Sequence, residues 1–313
     1  MKIAFFTEGG YFGKVPRNNP NMRTDQAWIC ALNAVHIPIF SESFPNENFD
    51  VGIVIIPKEK NREYLAQNKF PLIEAIKQIC SKVYVMQEST SWEWQDDSSN
   101  SMVWYFEQLN LADKILCHND MDVLYYLGLT NKHTDDVRVF PTLMIDDIVK
   151  VSDHKEESVF VAGNWHTTYC GFDAMVVAKS ISVPMVGFKS GKFKNGEEQS
   201  GIKYLPWMRW DQFMFELSKC RYGVHMYQAS AGQFPLNCSY LGIPCVGPSD
   251  INTQRDLHPM TSVDRGDIVT AKELANKLKS DADFYKECSE STKQLYNELY
   301  LESVFIEKIK SIL

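Results

Sequence analysis

Residues 234–247 read Phe-Pro-Leu-Asn-Cys-Ser-Tyr-Leu-Gly-Ile-Pro-Cys-Val-Gly, and the fold of the chain is decided by how this stretch is read. It reads as a helix that ends at Gly242 and feeds directly into a short apolar strand, with small residues (Ala229, Ser230, Ala231, Gly232) just ahead of the helix. In an open α/β sheet, a glycine-softened loop entering a helix N-terminus leaves backbone N–H groups unpaired and presents the positive end of the helix dipole. Such a place holds a phosphate. An ordinary βαβ turn accounts for the segment equally well, because short glycine patterns are common.

Outward from this stretch, strands and helices alternate. Strands are expected over residues 2–7, 37–40, 49–56, 82–86, 114–117 and 138–140, and helices over 24–34, within 64–80, over 102–109 and over 120–127. Residues 146–157 are charged and carry no apolar pattern, which puts a domain boundary there. The pattern then restarts with strands over 158–163, 183–187 and 222–226. Helices follow over 171–179, 210–219, 271–278 and 289–312. Alternation of this kind means α/β architecture with parallel, doubly wound sheets. The expected domains are 1–150, 151–290 and a C-terminal helix, 291–313, that packs back on the first.

A length of 313 residues fits two domains, and 44% hydrophobic with 23% charged residues is the composition of a globular protein. No run approaches the ~20 apolar residues that span a bilayer, and the start of the chain reads as a strand instead of a leader, so a cytoplasmic location is expected. Eight cysteines lack any C-x-x-C pair, and the seven histidines show no ligand spacing, so neither a disulfide framework nor a metal site is expected. A net charge of −8 argues against sequence-independent binding to nucleic acid. A local basic face, around Lys14, Arg17 and Arg23 or around Lys189, Lys192 and Lys194, remains able to track a polyanion.

The segment from Gly232 to Gly247 resembles the nucleotide-sugar signature of retaining GT-B glycosyltransferases, in which a loop and helix lie under the donor's diphosphate and ribose. The resemblance covers both halves as topology and this segment as motif. It implies two Rossmann-like domains facing across a cleft, a nucleoside-diphosphate sugar as co-substrate, no other cofactor and no metal. Two positions depart from the family. An acid that binds the ribose usually stands where Asn237 stands, and a second acid expected near Ala229 is missing.

Ligands of such sheets bind outside the carboxyl ends of the strands, so the loops after Thr7, Met86, Ala162, Gly187, Met226 and Gly247 are expected to converge on the cleft. Glu88, directly after a strand, is the favoured catalytic carboxylate, with Asp25 as a second candidate. Thr24 and Asp25 are equally explained as helix capping. Gln87, Trp92, Arg23 and His166 are candidates to hold the acceptor, tryptophan because its ring stacks on a sugar or a base. For the donor the candidates are Gly9, Gly10, Asn164, Lys189, Arg209, Tyr227, Ser230, Gly232, Gln233, Phe234 and Asn237. Lys189 and Arg209 would neutralise the departing diphosphate.

The resemblance implies transfer of a sugar to an acceptor hydroxyl with retention. The aromatic loop over residues 87–97 is similar to what phage-type enzymes acting on hydroxymethylated pyrimidines in DNA require. A surface glycan or small molecule is the alternative acceptor. A nucleotide-sugar binding module without turnover and a nucleotide-sugar epimerase stand as rival readings, and the oligomeric state is left open.

Overall fold

The computed structural model describes residues 1–10, 12–41, 44–87, 97–163, 165, 169–188, 196–227 and 231–313. The chain divides into two units. One comprises Met1–Arg17, Asp25–Pro141 and Ile306–Leu313, and the other Asn18–Thr24 and Thr142–Phe305.

In the first unit the elements run β1 (Ile3–Thr7), α1 (Thr24–Ala31), β2 (Val35–Pro38), β3 (Phe49–Val54), α2 (Glu59–Gln67), α3 (Leu72–Lys77), β4 (Cys80–Met86), α4 (Ser99–Leu111), β5 (Lys114–Cys117), α5 (Asp120–Leu129) and β6 (Val137–Val139). The strands form one parallel sheet in the order β2-β1-β3-β4-β5-β6. Every residue of β1 is buried, as expected of a strand covered by helices on both faces.

Two sequence expectations are corrected here. The strand expected over 37–40 lies earlier, because its register with β1 runs from Ala4↔Val35 to Thr7↔Pro38 and the Ser41 N–H then turns back to the Pro38 carbonyl at 3.1 Å. The helix expected within 64–80 forms as α3, and α2 ahead of it is a separate helix that the sequence reading missed. Pro71 stands at the N-cap of α3, where its missing N–H and fixed φ stop any helix arriving from α2.

In the second unit the elements run β7 (Val159–Val161), α6 (Gly171–Lys179), β8 (Met185–Phe188), β9 (Ile202–Leu205), α7 (Trp210–Ser218), β10 (Tyr222–Val224), α8 (Gln233–Tyr240), β11 (Cys245–Pro248), α9 (Asn252–Leu257), β12 (Ser262–Val263), α10 (Ile268–Ser280), α11 (Ala282–Leu299) and the start of α12 (Glu302–Lys310), whose residues from Ile306 on belong to the first unit. All neighbours are parallel, in the order β12-β11-β10-β7-β8-β9. The chain begins in the middle of this sheet, winds outward through β8 and β9, then returns to the other side of β7 at β10. The β7/β10 boundary is therefore the point where winding reverses, and an open α/β sheet has its ligand crevice there.

The sequence missed β9, α9 and β12, and expected one C-terminal helix where there are two. Between α11 and α12, Tyr300 leaves helical geometry (φ −129°) while its hydroxyl donates to Asp256 at 3.0 Å. No glycine or proline marks that break in the sequence.

Candidate functional site

At the switch point of the second unit, the loop after β10 leads into α8. Gly232 is the N-cap of α8 in the left-handed region, with φ +72°. A Cβ there would overlap the hydroxyl of Thr253, which donates to the Gly232 carbonyl at 2.8 Å. The Thr142 hydroxyl donates to the carbonyl of Ala231, so both carbonyls ahead of the helix are held. Pro235 occupies the third helical position and has no N–H. Among the described residues, the N–H groups of Gln233 and Phe234 meet no acceptor. The first turn of α8 carries no acidic residue. The result is an uncompensated positive helix end with two free amides.

The side chains of this turn form a relay. Gln233 Oε1 accepts from the Thr24 N–H at 3.3 Å and from the Thr24 hydroxyl at 3.2 Å. Gln233 Nε2 donates to Asn237 Oδ1 at 2.9 Å. Asn237 is 2% exposed, and its Nδ2 has no partner among the described residues.

Buried histidines fix the helix from below. His258 donates from Nε2 to the Pro235 carbonyl at 2.9 Å, and its Nδ1 lies 3.2 Å from the Thr292 hydroxyl of α11. His225 follows β10 and contacts Gln254 Oε1 through Nε2 at 3.0 Å, while Gln254 Nε2 donates to the Cys245 carbonyl at 2.9 Å. Burial lowers His225 to about 3 and His258 to about 4, so both are neutral. The ring of His225 stands 4.8 Å from Tyr227 and 6.0 Å from Phe234, and a Cβ on Gly247 would overlap it. The glycine that closes the opening stretch is there to make room for an imidazole.

The structure thus gathers Gly232, Gln233, Phe234, Asn237 and Tyr227 at one sheet edge. Burial pushes the Tyr227 hydroxyl up, keeping it protonated. Arg23 is exposed, and its neighbour Thr24 reaches Gln233. Arg209 stands at the N-cap of α7 with its guanidinium on Asp211, at 3.0 and 3.2 Å, so its charge is already paired. Asn164, His166, Lys189 and Ser230 lie outside the described residues.

In the first unit, Gly9 and Gly10 follow β1. The Thr7 hydroxyl donates to the Gly9 carbonyl at 2.8 Å and sits 2.8 Å from His36 Nε2. Gly10 (φ +105°) has no room for a Cβ beside the His36 ring, and Gly13 exchanges backbone hydrogen bonds with His36 at 2.9 and 2.8 Å. The turn is wrapped over that imidazole. Asp25 is half-buried in the first turn of α1 and accepts from Gln26 at 3.2 Å. Gln87 is buried after β4 and accepts from the Tyr105 hydroxyl. The Arg62 guanidinium lies 4.7 Å over the Tyr105 ring and pairs with Asp97 at 2.7 Å. Both described ends of the acidic, aromatic loop are tied to this one group. Glu88 and Trp92 lie outside the described residues.

His36, His225, Thr253 and His258 are the residues that sequence reasoning did not place at these turns. Each acts on a segment remote in the chain, so no local pattern announces it. Among the described residues no group of His, Cys, Asp and Glu is arranged to hold a metal ion, and all eight cysteines are free. No described helix is long and apolar enough to cross a membrane.

No protein-family profile matches the chain, and no curated protein matches it. Solved structures do. HepE of Anabaena, in complex with UDP and glucose, superposes with a TM-score of 0.65 at 10% identity, covering 99% of this chain and 98% of its own. Sucrose-phosphate synthase from Thermosynechococcus elongatus gives a TM-score of 0.66 at 10% identity over 99% and 97%. A TarM variant from S. aureus, in complex with fondaparinux, α-GlcNAc-glycerol and UDP, gives a TM-score of 0.63 at 10% identity over 84% of this chain. The chain spans about half of TarM's length, 55%. With two parallel six-stranded sheets and these neighbours, the chain has the GT-B glycosyltransferase fold.

Proposed function

We propose that the protein transfers a sugar from a UDP-sugar to an acceptor hydroxyl, with the donor's diphosphate resting on the N-terminus of α8. The observation that carries this reading is the pair of free amides of Gln233 and Phe234 at a switch point, with no acid in the turn to oppose an anion. Complexes of the structural neighbour HepE with UDP-glucose, and with UDP and glucose, support uridine as the base.

Loss of the nucleoside diphosphate places negative charge on the bridging oxygen. Fixed amide dipoles stabilise that charge without reorganising, and this is the part assigned to α8. Gly232 lets the backbone approach the phosphates. Glu88 is proposed to take the acceptor's proton, with Asp25 as the alternative base, and Gln87, Trp92, Arg23 and His166 to orient the acceptor. Gly9, Gly10, Asn164, Lys189, Arg209, Tyr227 and Ser230 are proposed around the donor. For Arg209 this requires release from Asp211. Transfer with retention, independence of metal and a cytoplasmic location belong to the same proposal.

For the acceptor, a glycan or small-molecule hydroxyl is the reading carried forward. A hydroxymethylated pyrimidine in DNA finds no support in the charge of −8. The experiment is a thermal-shift panel with UDP-, GDP-, ADP- and CMP-linked sugars, since a ligand of the native state alone raises the midpoint. UDP-sugars are expected to raise it, and donor turnover is expected to vanish in Glu88→Ala while the shift persists. A panel without any shift overturns the proposal.

A further inference from the structure

Helix α5 turns its apolar stripe outward. The residues it buries are Asp122 and Tyr126, whereas Met121 is 54% and Leu124 68% exposed, with Gly128 exposed in line with them. Residues 121, 124 and 128 share one face of a helix with 3.6 residues per turn. Beside it, α4 exposes Val103, Phe106 and Leu111. The two helices are tied together at their ends, where the Asn131 N–H donates to Asn110 Oδ1 at 3.1 Å and Lys132 Nζ donates to the Asn110 carbonyl at 2.9 Å. A single exposed apolar side chain is ordinary. An apolar face spread over two neighbouring helices marks a contact surface.

Charge and shape narrow down what covers it. Neither helix carries a lysine or an arginine, the residues by which a protein holds an anionic membrane surface or a nucleic acid. The shape fits the helix itself. Leu124 is a knob, and one turn further on Gly128 is a notch, where a Cβ would meet no atom of the described residues within 4 Å. A two-fold axis crossing α5 midway between them lays the helix antiparallel against a second copy and seats each Leu124 over the Gly128 of the other chain, the reciprocal pairing of an isologous contact. The same axis sets Asp120, exposed in the first turn, opposite Lys132, just past the last. Unlike charges therefore meet at both ends, and the helix dipoles run head to tail. A stable pair buries roughly 800 Å² on each side, more than a helix about 15 Å long provides, so the exposed side chains of α4 belong to the contact.

We infer that the chain forms a two-fold dimer through α5 and α4, with Leu124 of each copy seated at Gly128 of the other.

Sedimentation velocity of the full chain over a dilution series tests this, separately from any reading of the α8 site. A dimer is expected. Gly128→Leu fills the notch and is expected to weaken the dimer at least tenfold, with an unfolding midpoint at or above the native one, because the position is open and leucine is the better helix former. Leu124→Gly with Gly128→Leu exchanges knob and notch about the same axis and is expected to restore the dimer. A native chain that stays monomeric throughout the series overturns the inference and leaves the face to a different protein. A dimer that Gly128→Leu leaves unchanged, or a folded exchange variant that stays monomeric, overturns it by moving the contact elsewhere. The single variant decides the matter where the exchange variant does not fold.

Discussion

The hydroxyl of Thr253, on α9, donates to the carbonyl of Gly232 at 2.8 Å and fills the space that a side chain on Gly232 would need. The residue also sits at φ +72°, a region that costs an L-residue roughly 1–2 kcal/mol. Gly232→Ala is therefore expected to lose about 2 kcal/mol of stability and its thermal shift with UDP. Urea unfolding and the shift assay check this, and a variant that matches the native protein in both contradicts the role given to this turn.

Gly247 and His225 make a second pairing of absence with presence. A Cβ on Gly247 would overlap the buried ring, so Gly247→Ala is expected to cost ~1–3 kcal/mol through overpacking. In a double-mutant cycle with His225→Ala the ring is gone, and the alanine at 247 is expected to cost less than it does alone. Additive costs would show that the two sites are independent.

Acid is expected to destabilise the protein before its carboxylates titrate. Burial lowers His118 and His225 to about 3 and His258 to about 4, with Lys58 adding to the effect at His118. In the unfolded chain each takes a proton near pH 6.5. Below that value the unfolded state binds more protons, so the histidine contribution is complete above pH 6.5. It is lost as pH falls towards the folded values, on the order of 1 kcal/mol per histidine per pH unit. Unfolding midpoints are expected to hold from pH 7.5 to about 6.5 and to fall from there to pH 5, less steeply in His225→Gln. A flat profile would count against the buried neutral state.

Arg62 is buried with its charge on Asp97 and its Nε donating to the Pro57 carbonyl at 3.0 Å. Arg62→Met strands Asp97, whose side chain is 15% exposed, and a loss of about 3 kcal/mol is expected. Arg62→Met with Asp97→Asn is expected to recover part of it. Equal unfolding midpoints for native and single variant would sink this account.

Much of the fold could be read from the chain alone, because strand length, apolar runs and turn residues are local. The helix after Gly232 and the strand after Gly242 are legible from their glycines and their apolar residues. The α9 helix was not. Its sequence, Asn-Thr-Gln-Arg-Asp-Leu, has no apolar stripe, yet Asn252, Thr253 and Gln254 are buried. Gln254 and Thr253 are stable there through hydrogen bonds to Cys245 and Gly232, partners that periodicity cannot name. At the site, Gly232, Gln233 and Asn237 stand out by sequence position, whereas no spacing sets His225 and His258 apart from the other histidines, and the structure places them beside the helix.

By itself the sequence determined the alternation of strand and helix, its restart in a second half, and a glycine-led helix opening without an acidic residue. Only the tertiary structure decided that β7 and β10 are neighbours, so that this opening falls at the reversal of the sheet. It alone decided how the Gln233 and Asn237 amides are turned, since that choice passes through a hydrogen bond between residues 209 apart in the chain. Pattern and turn chemistry act over a few residues, while register and amide polarity are set by whatever the folded chain brings alongside.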